Sequence, residues 1–466
     1  MGNVPQKSFG LLDATLLVAG SMIGSGIFIV SSIMMADIGS PGWLLVLWLL
    51  TGIITIMAAL SYGELAGMMP NAGGQYVYIQ RAFGRLPSFL YGWTVFAVIQ
   101  TGVIAAVAVA FAKYTAVFFP YLNTSLFDLG FLDVRAAQLV AIGTVILLTY
   151  LNAQGLQNGK RIQFVFTSAK LLALFGLIIL GIYVGAKTNV FQLNWTEAWK
   201  TFKTSTSATG EITITPLAGW TLAGALGATI INALFSADAW NNVTFIAGEI
   251  EDPQKNIPRS LFIGTLLVTL LYVLANVAYL MLLSHTEIIH APSNRVGAAA
   301  AAVIFGAPGT YIMAALIMIS TFGCNNGLIL AGSRLYYAMA KDGLFWKKAA
   351  QLNQQGIPSV ALWVQCLWAS LLCLSGTYGD LLTYSTFASL LFYIITISGI
   401  FRLRVKEPDT PRPYLAFGYP IIPLLYILVT FSICCLLMVY SPSNTLSGLF
   451  IVMVGIPIFW AVNRKQ

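Results

Sequence analysis

Apolar runs of about 20 residues recur from one end of this chain to the other, separated by short polar connections. Scanned for stretches long enough to cross a bilayer, the sequence predicts twelve helical spans, at 11–37, 42–69, 86–118, 134–153, 160–185, 217–247, 257–283, 308–340, 358–376, 379–401, 416–440 and 444–462. The runs are continuous rather than alternating, which excludes a β-barrel of short two-faced strands. The longest polar connection, 187–216, is the size of a loop, so no soluble domain is expected between spans. Residues 1–10 are polar and no small-residue cleavage site follows the first run, so no removable leader is expected.

Composition agrees with a membrane protein: 58% of residues are hydrophobic and 9% charged, against about 25% charged in soluble domains. The net charge of +8 would suit a nucleic-acid partner only if it were clustered on one surface. Instead it marks topology. Seventeen of the 24 basic residues fall in loops of one side, from Lys7, Arg81 and Arg85 to Arg464 and Lys465. This bias predicts that both termini face the cytoplasm, and it needs no nucleic acid. All five cysteines (Cys324, Cys366, Cys373, Cys434, Cys435) lie in apolar runs, where they read as small core residues. His285 and His290 flank Glu287 without the spacing of a zinc helix, and no phosphate-binding loop or nucleophile elbow occurs. No metal or cofactor is expected, nor an enzyme.

Two spans are interrupted. Span 1 carries Gly20, Gly24 and Gly26 with Ser21 and Ser25, although each glycine costs a helix about 1 kcal/mol against alanine. Span 6 is broken at Phe235-Ser236-Ala237-Asp238-Ala239-Trp240. Span 6 comes five spans after span 1, an odd step, so the broken helices run in opposite directions, the arrangement of a transporter's central site. Small residues also permit close helix packing; the matching break in span 6 weighs against that as the whole explanation. A helix restarting after Gly26 offers unpaired amides and a positive dipole end to a carboxylate. The carbonyls of Met22 and Ile23, and those near Phe235, Ser236 and Asp238, suit an ammonium. An α-amino acid carries both charges.

Lys170 lies ten residues beyond Lys160 and Arg161, about 15 Å deep in a core of about 30 Å. A lysine there is expensive, about 2.5–3.5 kcal/mol on insertion scales, and calls for polar partners. The partners expected are the freed carbonyls of span 1 and the hydroxyls of Ser320 and Thr321 in span 8, giving a fixed or protonatable charge where other transporters hold a sodium ion. Snorkelling along a tilted helix is the other reading. For Asp238 three roles stand open: capping the second half of span 6, facing the substrate side chain, or pairing with Lys170. Phe235 is either a movable lid or ordinary packing.

The motifs "GSMIGSGIF" (20–28), "YGELAGMMPNAGGQYVYIQRAFG" (62–84), "AGEIEDPQKNIPRSL" (247–261) and "GSRLYYAMAKDGLF" (332–345) resemble, in order, those of the amino acid–polyamine–organocation superfamily. "FTSAKLLAL" (166–174) and "ISTFGCNNG" (319–327) look most like its L-type amino acid transporters and their bacterial members. The resemblance implies an all-α membrane fold with a five-plus-five inverted repeat: 11–185 as the first repeat, 217–404 as the second, and 416–462 outside both. It implies sodium-independent transport of L-amino acids, commonly by obligatory exchange. It places the Ser25 and Gly26 amides, beside Gly24, on the substrate carboxylate, and the carbonyls of Met22, Phe235 and Asp238 on the α-amino group. Phe235 becomes the gate, Lys170 the bridge from span 5 to spans 1 and 8 with Ser320 its span 8 partner, and Cys324 a pocket residue.

Two departures shape the expectation. The loop "PYLNTSLFDLGFLDVR" (120–135) lacks the cysteine by which animal L-type members link to a glycoprotein subunit, so no such partner is expected. Asp238-Ala239 stands where many L-type members have two glycines, and some members accepting cationic amino acids have an acid there. The resulting expectation is a cell-membrane exchanger of neutral, small L-amino acids, with a proton-coupled symporter, a cation-accepting exchanger and a non-transporting sensor as alternatives.

Overall fold

The computed structural model describes residues 8–128, 133–206, 212–375, 378–440 and 442–463. Among these, nine helices are long and apolar enough to cross a membrane: Pro41–Met68, Arg85–Phe118, Ala136–Ala153, Leu156–Gly185, Gly219–Ser236, Pro253–Leu282, Gly309–Lys341, Ser385–Lys406 and Ile421–Tyr440. They correspond to spans 2 to 8, 10 and 11. Four further helices complete the expected set: the halves of span 1 (Leu11–Met22 and Val30–Ile38), span 9 (Ser359–Ser375) and span 12 (Pro442–Asn463).

Both expected interruptions are present, with shifted edges. The first half of span 1 ends at Met22, and the chain runs extended through Ile23 before a 3-10 turn at Gly26–Phe28. The restart is therefore a tight turn at Gly26, and the α-helix resumes only at Val30. In span 6 the helix stops at Ser236, and the far side is a single helical turn, Asn242–Phe245, followed by a 3-10 turn at Ala247–Glu249. Ala239 adopts a left-handed conformation with φ of 64°, unusual for a residue with a Cβ.

Span 7 packs along span 2 and touches spans 1 and 5, while span 8 lies against spans 1, 3 and 5. Small residues set these approaches: a Cβ on Gly52 would come within 2.0 Å of the Thr269 side chain. Span 3 is the most enclosed helix, whereas spans 4, 5 and 11 turn most of their apolar surface outward. Leu172 of span 5 and Phe431 of span 11, for example, are 75% and 58% exposed, as suits a lipid-facing surface.

Connections carry structure that hydropathy did not predict. A helix at Val296–Phe305 joins spans 7 and 8, and Phe202–Thr206 pairs antiparallel with Ile212–Pro216 after span 5. On the opposite face, the segment before span 1 is tied down. The amides of Ser8 and Phe9 donate to the Glu249 carbonyl, Glu251 donates back to Phe9, and Lys160 binds both Asp13 and the Ser8 carbonyl.

Candidate functional site

Where span 1 unwinds, five successive carbonyls lose or loosen their helical bonds, and side chains of spans 5, 7 and 8 take them. Lys170 Nζ donates to Gly20 at 2.5 Å and to Ile23 at 2.6 Å. Cys324 Sγ donates to Ser21, the Tyr272 hydroxyl to Met22 at 3.1 Å, and Ser320 Oγ to Ile23 and Gly24 at 3.3 and 3.1 Å. The lysine is 2% exposed, so it does not snorkel to an interface. Its charge is met by carbonyl dipoles, which answers the cost of burying it.

Two of its expected partners behave differently. Ser320 offers Lys170 its backbone carbonyl, at 3.5 Å, while its hydroxyl serves span 1. Thr321 does not reach Lys170 at all: its hydroxyl bonds back to Ile317 and Met318 of its own helix, the local alternative open to threonine in a helix. Ile23, expected at the substrate, has its carbonyl occupied by Lys170 and Ser320 and so serves the scaffold.

The two breaks touch. A Cβ on Gly26 would fall 2.2 Å from Ser236 Oγ and 3.2 Å from Ser236 Cα, so only glycine lets span 1 lie against span 6 here. Tyr272 of span 7 fastens the pair, its hydroxyl lying 3.1 Å from the Met22 carbonyl and 2.9 Å from that of Ser236. Among the described residues, no backbone carbonyl accepts from the amides of Gly24 and Gly26. These amides head the 3-10 turn, as a carboxylate site requires. The Met22 and Ser236 carbonyls share the Tyr272 hydroxyl, and the Phe235 carbonyl takes the amides that close the end of its helix, that of Asp238 among them at 3.1 Å. A carbonyl has two lone pairs, so those of Met22 and Ser236 have capacity for an ammonium beside the tyrosine. Phe235 is 9% exposed beside the junction, and Cys324 Sγ stands 3.5 Å from where a Cβ on Gly24 would lie.

At span 6 the geometry separates the three roles open to Asp238. It does not cap the following turn, whose cap position is Asn241. It does not pair with Lys170. Its Oδ1 accepts from the Tyr393 hydroxyl of span 10 at 2.5 Å. From there a buried relay continues: Tyr393 to Asn241 at 3.4 Å, Asn241 to Gln75 at 2.9 Å, and Gln75 to Thr396 at 2.9 Å. Trp240 packs on Tyr62 and Tyr393, ring centroids 4.7 and 5.3 Å away. A narrow cavity with room for a water-sized molecule is lined by Asp238, Ala239, Gln75, Gln100 and Tyr393, and a second lies on the other side of Asp238 against Ile54 and Leu234. Free space thus collects at Asp238, and Gly24–Gly26 line neither cavity.

Tyr272, Tyr393, Gln75 and Asn241 were not singled out from the sequence. A tyrosine inside an apolar helix reads as packing, and only the meeting of three spans gives the Tyr272 hydroxyl two carbonyls to bridge.

A bilayer-crossing helical protein with two antiparallel broken helices, joined over a polar junction, belongs to the class of secondary transporters with a central site. The particular family follows from comparison. The profile of the amino acid permease family matches residues 9–462, and the chain belongs to that family, part of the amino acid–polyamine–organocation superfamily, with its five-plus-five inverted-repeat fold. The large neutral amino acids transporter small subunit 2 of Mus musculus is 33% identical over 98% of this chain and 81% of its own length. The b(0,+)-type amino acid transporter 1 of the same species is 30% identical over 91% of this chain and 81% of its own, and the Asc-type amino acid transporter 1 is 29% identical over 98% and 81%. These relatives are amino acid transporters, so the comparison supports amino acid transport by a multi-pass membrane protein.

Proposed function

We propose that the chain exchanges neutral, small L-amino acids across the cell membrane without sodium, by alternating access, and is not an enzyme. The observation that carries this reading is Lys170: a buried amine bonded to the Gly20 and Ile23 carbonyls, a fixed or protonatable positive charge where other transporters hold a sodium ion. The Gly24 and Gly26 amides, with that of Ser25 beside them, take the substrate carboxylate. The carbonyls of Met22, Phe235, Ser236 and Asp238 face its ammonium, Phe235 gates the pocket, and Cys324 borders it.

The printed name of one relative, a transporter of large neutral amino acids, supports a neutral substrate. The two repeats run over 11–185 and 217–404, with 416–462 outside them, and spans 1, 2, 6 and 7 rock against the rest. The basic loops support cytoplasmic termini. One relative's printed name marks it as a small subunit. Here the 120–135 loop contains no cysteine, which supports function without a disulfide-linked partner; its residues 129–132 lie outside the described structure.

The test is uptake of labelled alanine into proteoliposomes. Uptake should require preloaded unlabelled amino acid and should not change when choline replaces sodium. Strong uptake into empty vesicles under a pH gradient would establish proton symport instead, and retained binding without counterflow would establish a sensor.

A further inference from the structure

Outside the central site, one feature is unexplained by transport. Span 2, span 7 and the segment after span 10 enclose an outward-opening groove of about 320 Å³, lined by Leu60, Pro258, Arg259, Phe262, Tyr414 and Phe417. Its far wall is built in place. Glu64, 1% exposed as a side chain, receives Arg404 at 2.9 and 2.7 Å, sits 3.3 Å from Arg412, and accepts the Ala416 amide at 2.8 Å. Gly63 lets the Tyr414 ring lie on span 2, since a Cβ there would come within 2.7 Å of it. The wall is thus pinned on both sides of Tyr414, and the groove is a fixed feature of the fold.

Its chemistry is two-sided. Five of the six lining residues are apolar or aromatic, and Phe262 and Phe417 are 40% and 66% exposed. The sixth, Arg259, is exposed and its side chain has no hydrogen bond or ion pair among the described residues, as is true of the Lys255 side chain one helical turn earlier. Span 7 is 30 residues long, about 45 Å, and so overhangs a core of about 30 Å by roughly five residues at each end. Arg259 stands six residues in from Pro253, which puts its guanidinium where headgroups meet hydrocarbon. Phe262 follows it along the same helix.

From these observations we infer that the groove binds an anionic glycerophospholipid of the leaflet on the N-terminal side, its phosphate on Arg259 and Lys255 and an acyl chain along Phe262 and Phe417. An unpaired guanidinium matches a phosphate in charge and geometry, and the exposed aromatic walls match a chain rather than water. The site is independent of the central junction.

The full-length protein, purified and delipidated in detergent, is titrated with phosphatidylglycerol or phosphatidylcholine and read by native mass spectrometry. One phosphatidylglycerol should be retained in preference to phosphatidylcholine. Arg259→Gln should weaken its retention about fivefold, the effect of one basic residue near an anionic headgroup. Phe417→Asp should abolish it, while inorganic phosphate should not displace the lipid. Equal retention of the two lipids, undiminished retention by Arg259→Gln, displacement by inorganic phosphate, or a dimer carrying no lipid would each overturn the assignment. The comparison of the two lipids on the unsubstituted protein stands even if Phe417→Asp fails to fold.

Discussion

The two broken helices solve the same problem with opposite means. At span 1, backbone carbonyls are braced by side chains reaching in from three other spans, and a lysine carries the main load. At span 6, the side chains of the break itself reach outward: Asp238 to Tyr393, and Asn241 to Gln75. Span 1 uses glycine where it must be thin, at Gly26, whereas span 6 places alanine in a left-handed conformation at Ala239. The difference teaches that a break can be fixed through its main chain, leaving amides open at its far edge, or through its side chains, leaving variable space around them. The first kind suits the constant part of an amino acid, the second the part that varies.

Substitutions can break or sharpen this contrast. The largest effect is expected at Lys170→Ala, which strips the Gly20 and Ile23 carbonyls of their donor. Transport should fall to near background while the protein still reaches the membrane, as measured by uptake alongside surface labelling; near-normal rates would remove the lysine from the account. Gly26→Ala comes next. It forces a Cβ into Ser236, and overpacking of this kind costs about 1–3 kcal/mol. Uptake should drop strongly, with a lower melting temperature in detergent.

Tyr272→Phe removes a hydroxyl shared by the two breaks. Leaving carbonyls unpaired costs about 1–3 kcal/mol, so exchange should slow by about tenfold or more with surface expression unchanged. At the other break the changes should be mild. Asp238→Asn keeps an acceptor for Tyr393 and should scarcely alter alanine exchange; a selective change in arginine or lysine uptake would show that the carboxylate reads substrate charge. Ala239→Gly relieves a φ of 64° and should raise the melting temperature slightly, by about 0.5–1 kcal/mol of stability, without loss of transport.

Much of this arrangement could be read before any coordinates. Continuous apolar runs located the spans, and the glycines of span 1 with the polar gap in span 6 located both breaks. Lys170 declared itself by depth alone. What stayed hidden depends on contacts between distant segments. Break edges shifted because Ile23 ends its helix where lysine and serine take its carbonyl, a fact of spans 5 and 8 rather than of span 1. Thr321 was misjudged because its hydroxyl has a partner four residues back that the sequence weighs no differently from a distant one. Tyr393 and Gln75 sit in stretches whose local pattern describes only a membrane helix and a loop exit. The helix at Val296–Phe305 escaped for a simpler reason, being too short to stand out beside spans twice its length.

The pairing of Phe9 with the strand-like edge at Ile250 has a practical consequence. It ties the beginning of the first broken helix to the end of the second by main-chain bonds, so the two must part or travel together whenever that face opens. A pair of spin labels flanking this clasp, on surface positions of the 251–256 turn and of span 5 near Arg161, would act as a ruler for opening. Purification tags for such work belong at the other terminus, where they cannot pry the clasp apart.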